Sequence, residues 1–257
     1  MTEYVFPHSA PDEDQRLTMM SQMLDPHTCF RLSQLEIQEN WQCLEVAAGN
    51  GSLSHWLGGQ LGEGGHVRCT DIETGFLKRI DLPNVTVERL DLTTDEIGEG
   101  TYDLVFGRAF LHHLPTWHGV IDKLAGAVKP GGAMLLQEPD FHPAFSTDNA
   151  AIREIWERYA AWAQSRGIDY FLGRKIASRL QELGFEDIEV HGETISFNGG
   201  SLGANFYDLN IELLGPQMAE AGFVTQRQLD EFHAMMIDPR CWSMVSCFTA
   251  TSARKPG

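Results

Sequence analysis

Two closely spaced glycines, a succession of carboxylates and a pair of adjacent histidines are the residues whose types and spacing suit chemistry. The run Cys43-Leu44-Glu45-Val46-Ala47-Ala48-Gly49-Asn50-Gly51-Ser52 reads as an apolar strand opening through a glycine-rich turn into a helix. Gly49 and Gly51 remove Cβ atoms where a ligand must press against backbone, and the helix start offers unpaired N–H groups. A ligand bearing a carboxylate and a ribose fits there, although dinucleotide, mononucleotide and sulfonium binders all use such a turn. Asp71 closes the next strand, where a carboxylate accepts ribose hydroxyl protons and Ile72 covers one face of a flat base. Asp91 ends a third strand and suits an exocyclic amine such as that of adenine. Each acid alone also suits a solvated loop or a helix cap; their recurrence at successive strand ends is the signal.

The elements that must position these residues alternate. Helical spacing covers Asp12 to Leu24 and His27 to Gln38, so two short helices are expected before the first strand. Strand signals follow at Trp41 to Ala47, Val67 to Asp71, Val85 to Leu90, Asp103 to Gly107 and Ala133 to Glu138. Helical runs separate them at Ser52 to Leu61, Glu73 to Ile80 and Thr116 to Val128. Repeated β-α-β crossovers imply a parallel sheet with helices on both faces. Further helices are expected at Thr147 to Ser165 and Gly173 to Leu183, then two last strands at Phe185 to Phe197 and Trp242 to Ala250. Between those strands, Ser201 to Ala221 and Thr225 to Ile237 read as a helical excursion placed to form a lid or acceptor wall. The expected fold is therefore α/β: a seven-stranded, mostly parallel, doubly wound sheet with N-terminal helices and a helical lid insertion. Residues 1–257 are read as a single domain, with a cap over 1–40, a ligand-binding core over 41–140, and a substrate-side half over 141–257 carrying the insertion at about 199–240.

Composition narrows the partners. The chain has 257 residues, 42% of them hydrophobic, enough for a substantial core. No apolar run is long enough to cross a membrane. A formal net charge of −17 opposes phosphate backbones, which disfavours DNA or RNA as partner. The five cysteines, Cys29, Cys43, Cys69, Cys241 and Cys247, form neither a CxxC pair nor a ligand cluster. They read as reduced thiols in a cytoplasmic protein, and Met1 to Pro7 lacks the basic and apolar regions of a secretory signal. A monomer or homodimer is expected.

The order of these loops resembles the class I, Rossmann-like, S-adenosylmethionine-dependent methyltransferases over about Trp41 to Glu138. Tyr102-Asp103-Leu104-Val105-Phe106-Gly107-Arg108 is similar to the family's fourth strand, and Lys129-Pro130-Gly131-Gly132 to its turn into the fifth. Pro130 is expected to end a helix, and the glycines to permit the reversal. The resemblance implies S-adenosyl-L-methionine as cofactor and a final antiparallel strand in the sheet. It implies that Glu45, Gly49 and Gly51, with Ala47 in their turn, frame the methionine part and that Asp71 holds the ribose. Ile72 and Leu92 would enclose the adenine, Asp91 would meet its amine, and Gly107 and Arg108 would lie beside the methionine amine and the sulfonium. The family usually has glycine where this chain has Ala47, and a positive φ there would strain the alanine. A nicotinamide dehydrogenase is less suited, because Ser54 stands where the third glycine of G-x-G-x-x-G belongs.

Methyl transfer is a displacement at carbon and needs the nucleophile held in line with the departing sulfur. For a hydroxyl acceptor a base helps, and Leu111-His112-His113-Leu114-Pro115 after the fourth strand supplies one. His113 is the first candidate, with His112 and Glu138 beside it and Asp140 and His142 as rivals; both histidines equally suit packing or capping. The spacing of His112, Asp140 and His142 matches no tight ligand motif, so no metal is expected. Phe197, Phe206, Tyr207, Leu213, Leu214 and Met218 form an aromatic and methionine stripe that serves either as acceptor wall or as core. Tyr4, Arg16 and Gln22 are expected to fold over the cofactor. The leading function is transfer to a small organic acceptor. A peptide or protein acceptor, or use of the fold for non-methyl chemistry, are the alternatives.

Overall fold

The computed structural model describes residues 11–257. Helix α1 (Pro11–Ser33) leads into β1 (Gln42–Val46), α2 (Ser52–Gly58), β2 (His66–Asp71), a 3-10 turn at Gly75–Arg79, and β3 (Val85–Arg89). Next come β4 (Tyr102–Arg108), α3 (Trp117–Ala127), β5 (Val128–Asp140), α4 (His142–Phe145), α5 (Ala150–Ser165) and α6 (Ile176–Glu182). The chain continues with β6 (Glu186–Thr194), the two-residue β7 (Phe197–Asn198), α7 (Leu202–Glu220), α8 (Gln226–Ile237), the two-residue β8 (Trp242–Ser243) and β9 (Cys247–Arg254).

Seven strands form one sheet in the order β3-β2-β1-β4-β5-β9-β6, while β7 and β8 pair separately. Only β9 runs antiparallel to its neighbours, β5 and β6, as expected for a final reversed strand. From β1 the chain first builds outward through β2 and β3, then returns to place β4 on the other side of β1; such a switch point opens a crevice at the strands' carboxyl ends. Both faces of the sheet are covered, so its central strands are largely apolar, with buried polar residues such as Glu45, Arg108 and Glu138 near their carboxyl ends. Leu44, Val46, Val105 and Leu136 pack towards α3 and α6, and Cys43, Leu104, Phe106 and Leu135 towards α2 and the end of α1. A third core gathers α1, α5, α7 and α8 around Trp156, Trp162 and Phe232, all buried.

Several local expectations change. The two N-terminal helices are one, α1, running through Pro26. Proline removes one backbone donor, and the Thr28 hydroxyl donates to the Leu24 carbonyl at 3.0 Å. Leu17, Leu24 and Leu32 stay buried along its length, so tertiary packing outweighs the break. Helix α3 ends at Ala127 with Val128 as its C-cap, so Pro130 stands two residues past the cap, where it cannot continue the helix. The Lys129-Pro130-Gly131-Gly132 segment forms the irregular opening of β5, where the pairing with β4 shifts register. The helical periodicity over Glu73 to Ile80 yields only the 3-10 turn, and Trp242 pairs with Asn198 rather than opening β9.

Candidate active site

The carboxyl ends of β1 to β5 open into a cavity of about 970 Å³. Gly49, Asp71 and Asp91, from three successive strand ends, all line it, as do Glu45, Ala47, Ile72, Leu92 and Arg108. Gly51 lies just behind the wall: at φ 74°, a Cβ there would meet Ile80 at 2.5 Å and Leu77 at 2.9 Å. Gly107 is also behind it, where a Cβ would fall 2.9 Å from the Val46 carbonyl oxygen, so glycine lets β1 and β4 approach closely. Two alanines at the ends of these same strands adopt positive φ, Ala47 at 50° and Ala109 at 55°. Strained backbone of this kind clusters at binding sites, and here both residues line the cavity.

The carboxylates are already oriented. Asp71 accepts the Gly49 N–H at 2.8 Å and the Glu73 N–H at 2.9 Å, which ties the glycine turn to the end of β2. Asp91 accepts the Thr93 N–H at 2.9 Å and its hydroxyl at 2.6 Å, and these bonds hold its carboxyl below the ordinary range. Glu45 is buried and takes a short hydrogen bond from the Ser54 hydroxyl. Burial pushes its carboxyl up to about 8. A cationic amine beside Glu45 would favour the ionised form, which suits an amino-acid ammonium. The arrangement therefore fits an adenosyl amino acid: an acid for the ammonium, an open backbone turn, an acid for the ribose, and Ile72 and Leu92 for a flat base. Ser54 in the third glycine position is committed to Glu45, unlike the glycine of a dinucleotide fingerprint.

Arg108 lines the cavity, but its guanidinium points to α1. It donates to Asp25 at 2.8 Å and to the Thr28 hydroxyl at 2.9 Å, latching α1 to β4. The Ser21 hydroxyl donates to Asn50 at 3.1 Å and adds a second latch at the glycine turn. Glu13, Arg16, Leu17 and Met20 of α1 line the cavity, so α1 covers it as expected for Arg16. Gln22 is instead exposed and Tyr4 lies outside the described residues.

Beyond β4 the two histidines separate in role. Glu138, fully buried on β5, accepts the backbone N–H groups of Phe110 at 3.0 Å, Leu111 at 2.9 Å and His112 at 3.2 Å. Its second oxygen lies 2.7 Å from His112 Nδ1, so Glu138 folds the loop after β4 around itself. An Nδ1–H donated to Glu138 leaves Nε2 as the nitrogen with a lone pair. Burial, reinforced by Arg16, holds the imidazole down at about 3 and therefore neutral. His113, half-buried, stacks 3.9 Å from His112 between ring centroids, and both histidines line the cavity. Asp140 and His142 are not part of it: Asp140 is gripped by Arg174 at 2.5 and 2.7 Å, and His142 is exposed.

The far wall is aromatic. Phe141, Trp156, Tyr159, Tyr170, Tyr207 and Phe248 line it together with Phe206, Asn210 and Ser246. Of the stripe read on the lid, Phe206 and Tyr207 reach the cavity, whereas Phe197, Leu214 and Met218 are core and Leu213 packs against it. Trp156, Tyr159, Tyr170, Asn210 and Glu13 are lining residues that spacing alone does not single out. Trp156 and Tyr159, three apart on amphipathic α5, carried a helical signal without a direction.

Residues 44–134 match a family model described as a methyltransferase domain. Among curated proteins, the chain is 25% identical to phosphoethanolamine N-methyltransferase 1 of Triticum aestivum over 114 residues, covering 44% of this chain and 21% of that protein. It is 33% identical to a ubiquinone biosynthesis O-methyltransferase of Burkholderia ambifaria over 98 residues, covering 35% of this chain and 41% of that protein. These matches thus span less than half the length of either relative. Among solved structures, phosphoethanolamine N-methyltransferase 2 of Haemonchus contortus, in complex with phosphomonomethylethanolamine and S-adenosylhomocysteine, superposes with a TM-score of 0.56 at 16% identity, over 95% of this chain and 53% of that one. Residues 44–134 are thus similar to a methyltransferase domain, and the sheet order above is that of the class I, Rossmann-like methyltransferase fold.

Proposed function

We propose that this chain binds S-adenosyl-L-methionine across the ends of β1 to β4 and methylates a small organic acceptor held in the aromatic half of the same cavity. The observation that carries this reading is the continuity of the cavity, which reaches from Asp71 and Asp91 to Trp156 and Tyr207. At about 970 Å³ it lies at the upper end of single-ligand pockets, space suited to two small molecules side by side. Bound there, the cofactor would supply an electrophilic methyl group on a sulfonium, with the neutral thioether as the leaving group when the acceptor takes the methyl.

The chain's own residues do the rest. Asp71 and Asp91 receive hydroxyl and amine protons, Glu45 receives the ammonium, and the glycine turn lets backbone approach. His112 is kept neutral and aimed by Glu138, so its role is to orient an acceptor hydroxyl or amine; an imidazole held so low is too weak a base for efficient proton removal. His113, next along the loop, is the better candidate base. The five cysteines are unpaired thiols, which supports a cytoplasmic setting. Among the described residues no helix is long and apolar enough to cross a membrane. We read the whole chain as one catalytic unit, with α1 and the α7–α8 pair closing the cavity.

Titration calorimetry with S-adenosylmethionine, S-adenosylhomocysteine and NAD tests the reading. Saturable binding of both adenosyl compounds with NAD excluded is the expected result. Binding of NAD alone would overturn it, and adenosyl binding without turnover on a broad acceptor panel would remove the catalytic part.

A further inference from the structure

The acceptor half of the cavity differs from the cofactor half in how it handles charge. Arg16 and Arg108 are the arginines among the described residues that line the whole cavity, and no lysine is among them. Arg16 is buried and bound twice by Glu13, Nε and Nη2 each donating at 2.7 Å, and Glu13 is itself buried. Arg108 is committed to Asp25. Both positive charges are thus answered by carboxylates of α1, and an anionic acceptor entering here would lose its hydration without gaining an uncompensated cation. Glu13, the carboxylate on this side, is equally spent, so an ammonium acceptor finds no counter-ion either.

The walls argue in the same direction. Phe141 stacks on Tyr170 with centroids 4.4 Å apart, and Trp156 meets Tyr159 and Tyr207 edge-on at 5.4 and 5.5 Å. Rings whose faces are taken up by one another make a flat apolar wall, not an open cage of faces around a cation. The hydroxyls are paired as well, Tyr159 with Tyr170 at 2.6 Å and Tyr207 with Ser246 at 2.5 Å. What remains offers area, shape and neutral polar groups.

We propose that the acceptor is an uncharged, ring-bearing molecule, selected by this aromatic wall and by Glu13, which cancels the Arg16 charge and thereby excludes carboxylate- or phosphate-bearing compounds. The proposal rests on the methyl-transfer reading of the same cavity. Glu13 acts as a specificity determinant: it sets the net charge that an acceptor meets.

The test uses the full chain saturated with S-adenosylhomocysteine at about 0.15 M salt, where long-range repulsion by the acidic surface is screened. Calorimetry compares methyl 3,4-dihydroxybenzoate, which is uncharged, with 3,4-dihydroxybenzoate, phosphoethanolamine and dimethylethanolamine. The ester is expected to bind at least about tenfold tighter than each of the other three. Glu13→Gln, which replaces the carboxylate that Arg16 donates to at 2.7 Å with a neutral amide, is expected to close or invert the gap between ester and acid. The double variant Glu13→Gln, Arg16→Met removes the whole pair and is expected to keep the preference for the ester, so a folding defect in the single variant does not shield the idea. Tighter binding of any charged probe, absence of ester binding, or an ester-to-acid ratio unmoved by Glu13→Gln would overturn the proposal. Loss of S-adenosylhomocysteine binding in the wild-type chain would instead overturn the cofactor reading on which it rests.

Discussion

The two halves of the cavity are built by different means. The cofactor half draws on four consecutive strand ends within residues 45–108, and its parts are backbone, glycine and short acids. The acceptor half draws on α1, the loop after β4, β5, α5, α7 and β9, and its parts are large aromatic side chains. A site made from adjacent strand ends is held by the sheet's own hydrogen bonding, whereas one made from distant helices is held by side-chain packing. The first therefore tolerates little change in chemistry, and the second tolerates changes of shape that alter what is bound.

The largest expected effect lies on the cofactor side. Asp71→Ala removes the acceptor of the Gly49 and Glu73 N–H bonds, and with it the proposed ribose partner. It should weaken S-adenosylhomocysteine binding by about 1–3 kcal/mol by calorimetry. Unchanged affinity would break the comparison, because the cofactor half would then not depend on its carboxylates. Phe206→Ala sharpens the other side: a loss of about 1–2 kcal/mol in acceptor kcat/KM is expected, with cofactor affinity preserved.

Two further effects concern stability. Glu45 is buried with its carboxyl raised to about 8, against an ordinary value of 4.5. Between these values the unfolded chain has lost the proton and the folded chain retains it, so this group's contribution to stability is present at low pH and declines as pH rises. Glu45→Gln should therefore flatten the fall in ligand-free stability measured by denaturant unfolding from about pH 5 to about pH 8. An unchanged slope would show that Glu45 is ionised in the folded chain. The smallest effect expected is a gain: Ala47→Gly relieves a φ of 50° and should stabilise the fold by about 1 kcal/mol. A loss of stability there would mean that the methyl group packs well enough to offset the strain.

The same contrast explains what could be read in the chain. Gly49, Asp71 and Asp91 are local signals, each placed at the end of an apolar run, and the parallel sheet brings strand ends together by construction. The parallel part of the sheet follows from the same alternation, whereas the reversed last strand has no local signal and was expected only from the family resemblance. Pro26 misled the reading of α1, because a residue that breaks a helix locally is overruled by burial of Leu17, Leu24 and Leu32. Glu138 was legible as an acid at a strand end, but not as the group that gathers three N–H donors and His112, since those bonds span 26 to 28 residues. Trp156, Tyr170 and Glu13 were hidden for a related reason: each sits on an ordinary amphipathic or loop segment, and only tertiary packing turns them towards one cavity.

The central claim, that one continuous cavity joins an adenosyl site to an aromatic acceptor site, is tested most directly by a crystal structure of the chain with S-adenosylhomocysteine. The expected density places the ribose on Asp71, the adenine between Ile72 and Leu92, and the sulfur facing the chamber beside His112 and Tyr170. Adenine lying among the rings of Trp156 and Tyr207, or the ligand bound outside these strand ends, would contradict it.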